Sequence, residues 1–130
     1  MVGMRFIFAT CPVLAFGLPA GPAFAGPTPA PSYLGGWTED AQGCGQPLAE
    51  GHLQPGEYVF GKDARSHFEG RCRITHAEKS GSFGWKLDEV CRAGNKARWT
   101  LSVAGDTMIA SIARGSKAGE PFTLKRCATK

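Results

Sequence analysis

Phe68-Glu69-Gly70-Arg71-Cys72-Arg73-Ile74-Thr75-His76 and, after Gly81-Ser82, Phe83-Gly84-Trp85-Lys86-Leu87-Asp88-Glu89-Val90-Cys91-Arg92 form the stretch that decides the fold. Read as two arms, Ser66 to His76 and Phe83 to Arg92, joined by a two-residue turn, it predicts an antiparallel hairpin with Cys72 opposite Cys91. That register gathers Phe68, Gly70, Cys72, Ile74 and His76 on one face with Phe83, Trp85, Leu87, Glu89 and Cys91. Glu69, Arg71, Arg73 and Thr75 then point outward with Lys86, Asp88 and Arg92, the alternation of a sheet buried on one side. Cysteines directly opposed across strands lie within bridging distance, so Cys72–Cys91 is the favoured disulfide and Cys44–Cys127 joins the two ends. Spacing alone also admits mixed pairings such as Cys44 with Cys72.

The same logic extends along the chain. A turn at Gly105-Asp106 places Trp99 opposite Ile112, Leu101 opposite Ala110 and Val103 opposite Met108. Glu57 to Phe60 reads as a short strand with Tyr58 and Phe60 on one face and a turn at Lys62-Asp63. Phe122, Leu124 and Arg126 share one face of a final strand, and Gly35-Gly36-Trp37 opens the first. Between them, Thr38 to Gly56 is rich in Gly, Pro and polar residues, a long loop with room for one helical turn and tethered by Cys44. Seven short strands at this spacing predict an all-β fold, a small antiparallel meander barrel of about seven or eight strands. Eight rings, of Trp37, Trp85, Trp99, Tyr58, Phe60, Phe68, Phe83 and Phe122, are enough to fill such a barrel and leave no large cavity.

Residues 1–25 read as a secretory signal peptide: Arg5 precedes an apolar stretch from Phe6 to Leu18, and Ala23-Phe24-Ala25 supplies a small-residue cleavage site. Pro12 and Pro19 break that stretch, which is too short for a membrane span. Residues 26–33, with Pro27, Pro29 and Pro31, read as an extended arm, and 34–130 as a single barrel domain. Export places the protein in the periplasm or the secreted space, where an even set of four cysteines forms two disulfides. Removing Arg5 leaves 14 basic side chains against 11 acidic ones, dispersed along the chain, which is no nucleic-acid-binding signature. No feature of the chain speaks to oligomeric state.

Gly35-Gly36-Trp37 resembles the G-x-W opening of lipocalin-like, or calycin, barrels, in which the Trp closes the barrel floor and a late Arg packs on it. Arg126 is the residue the resemblance assigns to that Arg. The chain is also similar to a group of small exported bacterial proteins with a Gly-x-Trp start, a Phe-Glu-x-x-Cys-Arg-Ile strand, here Phe68 to Ile74, and a terminal Arg-Cys. Within calycins the size matches the bacterial metalloprotease inhibitors, which insert an N-terminal arm into a protease cleft. The resemblance therefore implies an inhibitor; four cysteines and a Pro-rich arm depart from that type.

Catalytic constellations are thin. His52, His67 and His76 match no zinc spacing, and Ser66, Ser80, Ser82, Ser102, Ser111 and Ser116 lie in no nucleophile elbow. No metal, cofactor or enzymatic activity is expected. Glu89 is the one acid the register turns inward, which needs a charged or hydrogen-bonding partner: it lies near the barrel rim, solvated or paired with an Arg, or it lines a small pocket. Trp37, His76, Glu89 and Arg126 are the pocket candidates. Arg71, Arg73 and Arg92 form an outward basic cluster, either a solvated face or a dock for an acidic partner. Ser116, Lys117 and Glu120, in the loop before Pro121, and Pro27, Pro29 and Pro31 of the arm are the other contact candidates. The leading reading is an exported binding protein that engages a protein partner, a protease or other envelope enzyme, as its inhibitor. A small-molecule binder using the barrel mouth and a structural envelope protein are the alternatives.

Overall fold

The computed structural model describes residues 29–130 together with Gly17 and Gly21. The predicted secretory segment, apart from those two glycines, and Pro27 lie outside the described residues. The chain forms β1 (Gly35–Thr38), β2 (Glu57–Phe60), β3 (Ala64–His67), β4 (Gly70–Ser80), β5 (Gly84–Val90), β6 (Lys96–Ala104), β7 (Thr107–Arg114), β8 (Lys117–Ala118) and β9 (Phe122–Cys127). Round the sheet the order is β6, β5, β4, β3, β2, β1, β9, β7, and pairing of β6 with β7 closes it into an eight-stranded antiparallel barrel. The two-residue β8 is a ribbon on the end of β7. Among the described residues the only helix is a 3-10 turn at Arg92–Gly94, and none is long and apolar enough to cross a membrane. The 39–56 loop has turns but no helix, and it is held to the barrel by a Leu48–Thr129 bridge and the Cys44–Cys127 disulfide.

The β6–β7 register is the predicted one, with Trp99 opposite Ile112, Leu101 opposite Ala110 and Val103 opposite Met108. The preceding hairpin is correct at one end and shifted at the other. Near the disulfide, Arg73 faces Val90 and Ile74 faces Glu89, and Cys72 is bonded to Cys91. Beyond Ile74 a β-bulge inserts Thr75, so that His76 pairs with Asp88 and Ala77 with Leu87. The connection therefore has three residues, 81–83, and not two. Gly84 permits the close approach this needs: a Cβ there would lie 2.1 Å from the Ser80 carbonyl oxygen. A bulge exchanges the faces of a strand. Accordingly His76, expected inside, is exposed, while Phe83, which falls within the three-residue connection and outside β5, is 65% exposed.

A second departure supplies the eighth strand. The segment read as one arm from Ser66 folds back on itself, with Phe68-Glu69 as the turn of a β3–β4 hairpin in which His67 pairs with Gly70. Gly70 adopts φ +138°, which its lack of a side chain allows. Phe68 is left at the tip, 58% exposed. Six of the eight expected rings thus line the barrel, and Tyr33, from the stretch read as an arm, joins them with 2% exposure. The packed chain begins one residue earlier than the predicted boundary.

We call the end bearing the 61–63, 81–83 and 105–106 turns lower and the opposite end upper. The lower end is closed by Trp37, fully buried, whose Nε1–H donates to the Tyr33 carbonyl, and by Arg126, stacked 4.3 Å above the Trp37 ring. Arg126 also donates to the carbonyls of Ser32, Leu34 and Gly105 and pairs with Asp106. Above this floor Phe60, Leu87, Trp99, Leu101, Met108 and Leu124 fill the interior, with Tyr33 and Trp99 edge-on to Phe60. Rings of this size contribute most of the apolar area a small core buries.

Arg126→Ala is expected to lower the free energy of unfolding by about 2–4 kcal/mol, because charge-assisted bonds and a stacking contact are lost together. Asp106→Asn, at a partner side chain that is 87% exposed, should cost less than about 1 kcal/mol. Urea unfolding of both variants checks this, and equal losses would assign the floor to the ion pair.

Candidate functional site

At the upper end the strands carry charge inward. The β2–β3 hairpin pairs Phe60 with Arg65 and Tyr58 with His67, so Arg65 and His67 share the inner face of two aromatic residues. The bulge-free end of β5 brings Glu89 to the same side. Arg65 Nε donates to Glu89 Oε2 at 2.9 Å and Nη2 to Oε1 at 2.8 Å, a bidentate pair whose side chains are 5% and 1% exposed. The guanidinium lies 4.7 Å from the Trp99 ring and 5.7 Å from that of Tyr58. Burial, with the Glu39 carboxylate alongside, pushes the Tyr58 phenol above its ordinary pKa. Two dry charges require this geometry: desolvating them costs several kcal/mol each, offset only by a well-formed pair with its remaining hydrogen bonds made.

The Cys72–Cys91 disulfide sits directly on this pair. Arg65 Nη2 is 3.4 Å from Cys72 Sγ, His67 Nε2 is 3.7 Å from the same sulfur, and Glu89 Oε1 is 3.6 Å from Cys91 Sγ. Burial, followed by the Arg65 charge, holds His67 below its ordinary pKa and keeps the ring neutral near pH 7. Its Nδ1 accepts from the Glu69 amide at 3.3 Å, which leaves the ring proton on Nε2, facing the sulfur. Above the disulfide a cavity of about 660 Å³ opens to solvent; its charged walls are Arg65, Arg71, Arg92, Arg114 and Glu69. Arg71, Arg92 and Arg114 are exposed, whereas Arg65 is the buried floor of the basin.

The predicted residues distribute as follows. Arg71 and Arg92 share the basin; Arg73, two residues along the outer face of β4, lines a neighbouring hollow with Asp63 and Val90, which Arg71 and Cys72 also border. Ser116, Lys117 and Glu120 are exposed on the β7–β9 connection, which also lies at the upper end, and Lys117 pairs with Arg114. Pro29 is exposed and Pro31 half-buried. The four pocket candidates do not come together. Trp37 and Arg126 form the floor, Glu89 lies in the upper half, and His76 stands outside, 3.5 Å from Glu78, because the bulge reverses its strand. Glu89 instead finds the basic partner that an inward acid requires. Cys72, Glu89 and Cys91 are the one group of metal-type ligand atoms within reach of one another among the described residues, and the disulfide occupies both sulfurs.

Arg65 and Arg114 were not singled out from sequence, and His67 was weighed there only as a metal ligand. Ala64-Arg65-Ser66-His67 carries no apolar alternation, since both inward residues are basic and Ser66 is buried beneath the 39–56 loop. The usable signal was the Lys62-Asp63 turn: continuing its register past Phe60 and Tyr58 puts Arg65 and His67 on the face that holds Glu89. No family model matches the chain, and no curated protein or solved structure matches it either.

Two outcomes follow for this site. Glu89→Gln should destabilise the protein by about 3–5 kcal/mol by leaving Arg65 buried and uncompensated, whereas the double replacement Arg65→Met with Glu89→Leu should recover most of that loss. Urea unfolding reads both. Because the folded protein holds His67 below its unfolded pKa, the unfolded chain takes up a proton first, and stability falls as pH drops below about 6.5. His67→Gln is expected to flatten the stability profile between about pH 7 and pH 5, measured as the shift in urea midpoint.

Proposed function

We propose that this protein is a non-enzymatic binding protein of the periplasm or the secreted space, which docks the arginine-rimmed upper end of its barrel on an acidic surface of a protease or other envelope enzyme and inhibits it by occlusion. The observation that carries the reading is the basin itself, four arginines against one glutamate around an open cavity. Its deepest guanidinium is held rigid by Glu89, so little ordering is left to be done on binding. Arginine is the cation best suited to a carboxylate partner, because its planar fork makes two bonds at once. Two disulfides fit an oxidising compartment. The resemblance to small exported inhibitor barrels supports an enzyme as the partner. The arm is a weaker candidate for the contact, since the chain leading out of it is tied down at the opposite, lower end by Tyr33 and by the Ser32 contacts of Arg126 and Trp85.

A small anionic ligand seated in the same basin is the second reading, favoured by the depth at which Arg65 is fixed.

Affinity capture from envelope extract and culture supernatant, with the oxidised protein as bait, identifies the partner. The triple variant Arg71→Gln, Arg92→Gln, Arg114→Gln should then bind it with an association rate at least about tenfold lower and a weaker salt dependence, while deletion of 26–31 leaves binding intact. Unchanged affinity of the triple variant would overturn the basin as the contact, and loss on deleting the arm would transfer the contact to it.

A further inference from the structure

We propose that Cys72–Cys91 is a thiol-exchange site, at which an anionic low-molecular-weight thiol, one carrying a carboxylate, forms a mixed disulfide with Cys91 and Cys72 departs as the thiolate. The inference does not depend on a protein partner. It rests on the asymmetry of charge about the two sulfurs and on the basin that gives access to them.

Exchange begins when a thiolate attacks one sulfur in line with the bond, and it runs in the direction that leaves the better-stabilised thiolate behind. Cys72 Sγ has the Arg65 guanidinium at 3.4 Å and His67 Nε2 at 3.7 Å, two N–H donors aimed at the atom on which charge would develop. Cys91 Sγ has a carboxylate oxygen of Glu89 at 3.6 Å, which opposes a thiolate there. Cys72 is therefore the leaving sulfur and Cys91 the one attacked. Exposure agrees: Cys72 is 1% exposed, and Cys91, half-buried, is the more accessible of the two. Both line the arginine-walled cavity, so an incoming thiol with its own carboxylate is drawn to the basin by Arg71, Arg92 and Arg114.

The step balances without an oxidant. The incoming thiolate forms an S–S bond with Cys91 Sγ, the Cys72–Cys91 bond breaks, and its electron pair remains on Cys72 Sγ, where His67 Nε2–H donates to it. Return of that pair to Cys91 expels the small thiol and restores the protein. Attack of a second small thiol on the mixed disulfide releases the small-molecule disulfide and leaves both cysteines reduced.

The test treats the native, oxidised full chain, without denaturant, with glutathione, mercaptoacetate or cysteamine, quenches with an alkylating agent, and maps adducts by mass spectrometry. With each rate divided by that of the same thiol toward an uncharged small-molecule disulfide, which removes differences in thiolate fraction and intrinsic nucleophilicity, mercaptoacetate is expected to react at least about tenfold faster than cysteamine. The adduct is expected on Cys91 with the alkyl group on Cys72, while Cys44–Cys127 stays closed. Arg92→Gln with Arg114→Gln, two exposed positions that leave the core untouched, should reduce the mercaptoacetate advantage several-fold. His67→Ala should slow exchange with all three thiols alike. An adduct on Cys72, opening of Cys44–Cys127 first, or rates indifferent to the charge of the thiol would each overturn the proposal.

Discussion

Arg65 and Glu89 reach into the barrel from β3 and β5, and two opposite charges kept from water determine how the upper half is built. A lone carboxylate in that position would have to be neutralised or would unfold the strand that carries it. Paired in a fork with Arg65, whose guanidinium lies against the faces of Trp99 and Tyr58, it instead fixes the spacing of strands that share no direct ladder. The disulfide above extends the same constraint into covalent form, since Cys72 lies opposite Arg65 on β3 and Cys91 follows β5. The Thr75 bulge is its counterpart: Cys72 and Ile74 keep the register that the pair and disulfide demand, and the lower half of the hairpin takes another.

The two ends of the barrel use arginine in opposite ways. Arg126 is spent on carbonyl oxygens and on the face of Trp37, so its donors are largely satisfied by the chain itself. At the upper end Arg65 is likewise satisfied, but Arg71, Arg92 and Arg114 surround it with exposed guanidinium groups. The first arrangement closes a barrel; the second leaves donors facing solvent. With large rings packing the interior, the exposed basic groups stand at the rim, where Lys117 and the β7–β9 connection also lie.

Much of the framework was legible along the chain. Strand alternation and turn residues identified the barrel and the β6–β7 register and favoured the two disulfides that form, because a period of two with one buried face leaves little choice once the turn is placed. The inward Glu89 was legible for the same reason. Its partner was not, because Arg65 lies in a strand whose inward residues are both basic and whose outward Ser66 is covered by a distant loop. His76 and Phe83 were misplaced by a single inserted residue, and Phe68 by a turn that Gly70 makes possible.

Sequence by itself thus determined what depends on local periodicity, an all-β chain and most of its hairpins, and it favoured the cysteine pairing that forms; the meeting of Trp37 with Arg126 across β1 and β9 was implied only by the resemblance to calycin barrels. Tertiary structure alone decided what depends on closure. Joining β6 to β7 places strands remote in sequence around one interior, and only then do Arg65, Glu89 and Trp99 meet. The physical reason is that a bulge or a turn costs little locally, while its consequence, which face of a strand is inside, is settled by the whole barrel packing at once.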